Sequence, residues 1–123
     1  MEPKTITLPE LNEGEFYAGI VLKEDGTPDY HLIGLPGELE AANHSDATEW
    51  AASIGGSLPD RRELNLLRAN ARQYFQNDWC WSNETHAATS YDAWYQDFDF
   101  GYQSIYDKSN ELRARAIRRL PIQ

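Results

Sequence analysis

Cys80 is the chain's one cysteine among 123 residues, so no disulfide can form within it. Small secreted domains commonly supplement a thin core with disulfides, and their absence points to a reducing compartment. Flanked by Trp79 and Trp81, Cys80 reads as a small buried hydrophobe rather than a nucleophile. Long apolar runs are also missing. None approaches the roughly 20 residues that a membrane span needs. The opening Met1-Glu2-Pro3-Lys4 has no basic stretch leading into an apolar one, so no secretory signal is visible. A soluble protein, cytoplasmic where it is made, is the expectation.

Positive charge is scarce: 11 Lys and Arg face 20 Asp and Glu, a net charge of −9. An acidic surface repels phosphate backbones and anionic polysaccharides, so neither nucleic acid nor such a glycan is an expected direct partner. Five of the 11 cations sit near the C-terminus, as Lys108, Arg113, Arg115, Arg118 and Arg119, with only Glu111 opposing them. In an acidic chain this cluster reads as structural ion pairs, with Arg115 and Arg118 foremost. His31, His44 and His86 are scattered, without the Cys or carboxylate spacing of a zinc site. No nucleophile-elbow sequence frames a serine. No metal, cofactor or enzymatic activity is therefore expected.

The apolar and aromatic content is that of a folded protein, and the length suits one domain. Residues 1–13 read as a flexible N-terminal arm, and residues 14–123 as one domain. Phe16 to Leu22 and Tyr30 to Ile33 form a predicted hairpin around Asp25-Gly26. Ser45 or Asp46 can cap a helix over Ala47 to Ile54, whose apolar face is Ala47, Trp50, Ala51 and Ile54. Asp60 and Glu63 form a capping box for a second helix, with Leu64, Leu67, Arg68 and Ala71 on one face. Arg61 and Arg62 oppose the dipole of its first turn, which predicts acidic partners elsewhere in the fold. Trp79 to Ser82 reads as a short strand and turn. Thr89 to Phe100 and Tyr102 to Tyr106 read as an aromatic hairpin bent at Gly101, and Leu112 to Leu120 as a terminal strand. The expected class is α+β: two helices between an N-terminal hairpin and a C-terminal antiparallel sheet.

Four segments in fixed order carry a resemblance. They are Leu58-Pro59-Asp60-Arg61-Arg62-Glu63-Leu64, Trp79-Cys80-Trp81-Ser82-Asn83-Glu84, Ala93-Trp94-Tyr95-Gln96-Asp97-Phe98 and Arg113-Ala114-Arg115-Ala116-Ile117-Arg118-Arg119. Together they resemble a bacterial and phage domain of unknown function, seen at the C-terminus of a collagen-like bacterial adhesin. The resemblance implies a C-type-lectin-like fold, with Phe16 to Leu22 lying beside Arg113 to Arg119. It also implies a binding surface between Asn83 and Ser104. The calcium-binding triplets of classical sugar-binding relatives are absent, and a lone Cys80 cannot supply the chemistry of relatives that oxidise cysteines.

Within Asn83 to Ser104, aromatic faces beside carboxylates suit a sugar or a cation. Strand alternation assigns Trp94, Gln96, Phe98 and Phe100 to the core and Ala93, Tyr95, Asp97 and Asp99 to the other face. The candidate ligand-binding residues are Tyr95, Asp97, Asp99, Tyr102, Asn83 and His86, with Tyr91 also on the surface. The resemblance implies a phage- or prophage-encoded, calcium-independent, non-enzymatic recognition domain whose partner is a protein or glycan. Two other readings fit: an acidic inhibitor of a host nuclease or defence system that imitates DNA charge, or a minor virion or tail component. Trp50, Leu64, Leu67, Trp81, Trp94 and Phe98 are expected in the core.

Overall fold

The computed structural model describes residues 5–122; residues 1–4 of the expected arm, and residue 123, lie outside them. The strands are β1 (Phe16–Leu22), β2 (Pro28–Gly34), β3 (Leu39–Ala42), β4 (Trp79–Thr85), β5 (Asp92–Asp97), β6 (Gln103–Asp107), β7 (Leu112–Ala114) and β8 (Ile117–Pro121). The helices are α1 (His44–Ser53) and α2 (Arg61–Ala71), the second followed by a 3-10 turn at Arg72–Tyr74. The class is α+β, with one sheet ordered β1-β2-β8 and another ordered β3-β7-β4-β5-β6. No helix among the described residues is long and apolar enough to cross a membrane.

Both helices begin on side-chain caps. Asp60 accepts from the Glu63 amide at 2.7 Å while Glu63 accepts from the Asp60 amide at 2.8 Å, completing the expected box. For α1 the cap is Asn43, not Ser45 or Asp46: its Oδ1 accepts from the Asp46 amide at 2.9 Å. The helix thus starts earlier than its apolar residues do. Ala47 and Ala51 are buried, Trp50 is half-buried and Ile54 is exposed, so the seam of α1 is narrower than its apolar spacing.

Two cores result. Ala47 and Ala51 of α1 pack with Trp81, Ala93 and Tyr95 on one face of the larger sheet. Leu64, Leu67 and Ala71 of α2 fill the space between Phe16, Ala18, Val21 and Leu32 of the smaller sheet and Cys80 and Phe98 of the larger. Gly34 is required at its position in β2, because a Cβ there would sit 2.1 Å from the Phe16 ring.

Two expectations about the sheets need correction. β1 and β8 share a sheet, but β2 lies between them, so Phe16 to Leu22 is not adjacent to the terminal strand. Nor is the C-terminal segment one antiparallel strand. It breaks at Arg115-Ala116: β7 runs parallel to β4 in the larger sheet, and β8 joins the smaller one. The crossing is fixed where Ala116 O accepts from the Leu35 amide and Ile117 exchanges main-chain hydrogen bonds with Ser57.

The arginines divide in the same way. Arg118 forms a bidentate pair with Glu15, and Arg113 bridges Glu38 and Asp78, as structural ion pairs should. Arg115 has no carboxylate partner among the described residues. It donates to the carbonyls of Tyr74 and Leu35, and its guanidinium lies over the Phe16 and Phe75 rings at the crossing point between sheets. Arg61 and Arg62 likewise lack the acidic partners expected of them. Arg61 stacks on Trp94 at 3.5 Å and Arg62 donates to Leu22 O, while Glu84 instead accepts from the Arg61 amide and so complements the helix terminus directly.

Glu63 is fully buried and joins α2 to the smaller sheet. Arg119 donates to both of its carboxylate oxygens at 2.7 Å, and the Tyr30 hydroxyl donates to one of them. Burial pushes the Glu63 carboxyl up, but Arg119, the Asp60 amide and Tyr30 together outweigh burial and hold it below its ordinary value of 4.5. A carboxylate with a depressed folded value stabilises above its unfolded value, and that stability is lost as pH falls through the folded value. Denaturant melts should accordingly show stability declining below about pH 4.5. Glu63→Ala should cost about 3–5 kcal/mol, because it leaves Arg119 unpaired, and Glu63→Ala with Arg119→Met should cost less than the single change. A double variant less stable than the single one would show that the pair is not the joint.

Candidate functional site

The β5–β6 hairpin holds most of the residues singled out in the sequence. Its two strands pair without a bulge, from Asp92 opposite Asp107 to Gln96 opposite Gln103. Both faces of β5 are covered: α2 packs against one, and the rings of Trp79, Tyr102 and Tyr106 gather around Tyr95 on the other. Alternation along the strand separates the two faces but cannot say that both are buried. This overturns the expected surface roles of two residues. Tyr95 and Asp97 are each only 4% exposed.

Tyr95 belongs to an aromatic stack. Its ring lies 4.4 Å from Trp79 and meets Tyr102 and Tyr106 edge-on at 6.3 and 6.2 Å. Burial, aided by the neighbouring Tyr102 hydroxyl and the Asp97 charge, pushes its phenol up to about 12. Trp94, on the opposite face, is half-buried beneath Arg61 instead of lying in the core. Phe98 is buried as expected and stacks on Phe75 at 4.2 Å. Phe100, assigned to the core by alternation, is 81% exposed. The strand has ended by then, and the turn from Phe98 to Phe100 no longer alternates.

That turn is tied down almost atom by atom. The Phe98 amide donates to Asp78 O, the Asp99 amide to Asp97 Oδ1, and the Gly101 amide to Asp97 O. Arg68 donates to the carbonyls of Phe98 and Asp99, Arg72 donates to Asp99 O, and the Gln96 side chain donates to Gly101 O. Gly101 has φ +93°, and a Cβ there would lie 2.7 Å from Arg68 Nη1. A backbone this constrained carries a large, solvent-facing aromatic ring.

The other candidates fall at the far end of the hairpin. β5 runs from the Thr85 end of β4 to the Trp79 end, so Asn83 and His86 are separated from Asp99 and Tyr102 along its length. Five residues of strand span about 17 Å. Asn83 is exposed. His86 is half-buried, bonded through Nδ1 to Thr89 Oγ1, with its ring edge-on to Trp94 at 5.6 Å. The hairpin therefore groups Asp99, Phe100 and Tyr102 at its tip and leaves Asn83 and His86 with Tyr91 and Asp92 at its base. Arg68 and Arg72, which shape the tip, were not singled out for it in the sequence. An arginine on the apolar face of α2 was the available signal, since a charge placed there must reach a partner.

Reactive groups are quiet. Cys80 is buried, and burial pushes its thiol up to about 12, so it stays protonated at neutral pH. Among the described residues, no three His, Cys, Asp or Glu side chains gather as a metal site would require. Grooves elsewhere include one of about 400 Å3 between β1 and α2, lined by Ile20, Leu22 and Leu66. No protein-family model matches the chain, and no curated protein does.

The geometry separates stability from surface. Gly101→Ala should destabilise by about 1–3 kcal/mol, because it strains the backbone and displaces Arg68. Phe100→Ala should change stability by less than about 0.5 kcal/mol. Parallel urea melts test this, and a Phe100→Ala loss as large as that of Gly101→Ala would place the ring in the core.

Proposed function

We propose that this chain is a non-enzymatic recognition domain of the C-type-lectin-like kind, phage- or prophage-encoded, that captures a protein partner with the β5–β6 tip. The observation that carries this is Phe100, a ring 81% exposed on a turn whose backbone is hydrogen-bonded at Phe98, Asp99 and Gly101 on either side of it. Binding energy concentrates in aromatic anchors, and an anchor held in advance loses little entropy on docking. Asp99 and Tyr102 flank it as a polar rim. A protein with an apolar pocket suits a single projecting ring with a polar rim. The two-helix α+β architecture supports the fold reading, as does the last strand's return to the sheet that holds the first.

A second reading, charge mimicry by an inhibitor, draws on a different observation. Arg113, Arg118 and Arg119 are consumed by Glu38, Asp78, Glu15 and Glu63, so these cations offset little of the remaining acidic surface, where the acids outnumber the other Lys and Arg. Salt separates the two, since screening weakens charge pairing steeply and apolar insertion hardly at all.

The test is capture from a bacterial host lysate on immobilised chain, followed by affinity measurement on the captured protein. Phe100→Ala should weaken binding by about 2 kcal/mol or more, roughly thirtyfold, at low and at high salt alike. Binding unchanged by Phe100→Ala but abolished by salt, or competed away by DNA, would favour the inhibitor reading instead.

A further inference from the structure

The sheet edges are not equally protected, and unpaired edges invite strand addition unless something blocks them. On β1, Asn70 Nδ2 donates to Ala18 O and Arg62 Nη1 to Leu22 O, and the strand is bulged near Gly19. β3 is four residues long with an irregular register. β8 is bridged at Ile117 by Ser57 and contains Pro121. β6 has none of these devices. It is an end strand of the larger sheet, its pairing with β5 is unbroken, and its sequence Gln103-Ser104-Ile105-Tyr106-Asp107 contains neither lysine nor proline.

Which main-chain groups face outward follows from the ladder. Asp97 N donates to Tyr102 O at one end and Lys108 N to Tyr91 O at the other. Antiparallel strands alternate inward and outward pairs. Tyr102, Ser104, Tyr106 and Lys108 therefore point toward β5, while Gln103, Ile105 and Asp107 point away. Asp107 O is taken by the Asn110 amide. The amide and carbonyl of Gln103 and of Ile105 remain, with the Asp107 amide, and no described residue bonds to them from the open side.

Charge says what kind of strand fits. Asp92 and Asp107 stand directly opposite each other at the base of the hairpin, a like-charge pairing that destabilises a ladder. Neither belongs to an ion pair among the described residues. A cation on an incoming strand would relieve this repulsion. At the other end of β6, Tyr102 and Phe100 offer apolar contact. We infer that β6 is a docking edge for an extended, basic segment of a partner protein, which adds as a sixth strand through Gln103 and Ile105. The segment places lysine or arginine against Asp92 and Asp107, and apolar residues toward the tip. The inference rests on the recognition reading above and names its mode.

The probe is a library of blocked hexapeptides that alternate lysine with randomised apolar and aromatic residues, with a glutamate library as control. Binding to the full chain is read by amide hydrogen exchange. The Gln103 and Ile105 amides should exchange quickly in the free chain and slowly with lysine peptides, whereas Ser104 and Tyr106 are slow in both states. Ile105→Pro removes an outward amide that β5 does not use, and should weaken peptide binding at least about tenfold; Ile105→Val keeps the amide and should not. If the proline variant fails to fold, exchange in the unaltered chain decides alone. The inference falls if lysine peptides do not bind at about 1 mM, a concentration that detects even weak contacts. It also falls if they protect other amides or if glutamate peptides bind equally. Protection of the same amides by raised protein concentration alone would assign the edge to a second copy, and overturn it too. Failure here with a lysate partner still lost in Phe100→Ala leaves the recognition reading standing. Peptide protection of β6 with a lysate partner indifferent to Phe100 removes the tip and keeps the edge.

Discussion

The Glu63 carboxylate is the joint on which the rest of the structure depends. It accepts from four donors: the Asp60 amide, Arg119 Nε and Nη2, and the Tyr30 hydroxyl. These donors belong to the start of α2, to β8 and to β2, so one buried group locks the helix to the smaller sheet. From that fixed helix other side chains reach the larger sheet. Arg61 lies on Trp94 and donates to Gln103, and Arg68 holds the carbonyls of Phe98 and Asp99. The hairpin tip thus takes its position from a carboxylate that does not touch it.

A buried ion pair is an expensive way to hold a helix, because both charges must leave water. An apolar contact would hold α2 as firmly. It would not choose one rotation and one axial position, since Leu64, Leu66, Leu67 and Ala71 offer apolar surface over more than one row. A bidentate pair tolerates neither a slide nor a turn. The precision matters because the arginines of α2 act several residues away, where a small rotation at Glu63 becomes a displaced guanidinium at Gly101. The close approach of Arg68 to Gly101 leaves no room for that displacement.

Legibility in the sequence followed the range of the interaction. The capping box was readable because Asp60 and Glu63 are three residues apart and their chemistry is local. The β1–β2 hairpin was readable from its turn, and the burial of Leu64, Leu67 and Phe98 from periodicity. The break at Arg115 was not readable, since Leu112, Ala114 and Ala116 keep alternating while the chain changes sheets, and only the distant Leu35 and Ser57 mark the crossing. The burial of Tyr95 and Asp97 was hidden for a related reason. A two-residue period divides a strand into faces, but what covers each face is decided by residues elsewhere in the chain, such as Trp79 and Tyr106 around Tyr95. Phe100 was misassigned because the period was extended past the end of β5. The separation of Asn83 and His86 from Asp99 is likewise a property of the pairing between β4 and β5, which no single segment records.

Rigidity and exposure rarely coincide by accident. Loop tips are ordinarily the mobile, polar parts of a domain, where backbone groups are left to water. Here the tip carbonyls are occupied by arginine and glutamine side chains, and the most exposed large apolar ring of the described residues stands on them. Stability alone explains the arginines but not the phenylalanine, which gains nothing from projecting into solvent. Solubility explains the acids but neither the ring nor the undefended β6 edge beside it. The proposed recognition surface would account for all three, with the ring as anchor, the edge as ladder and the acids as the choice of charge.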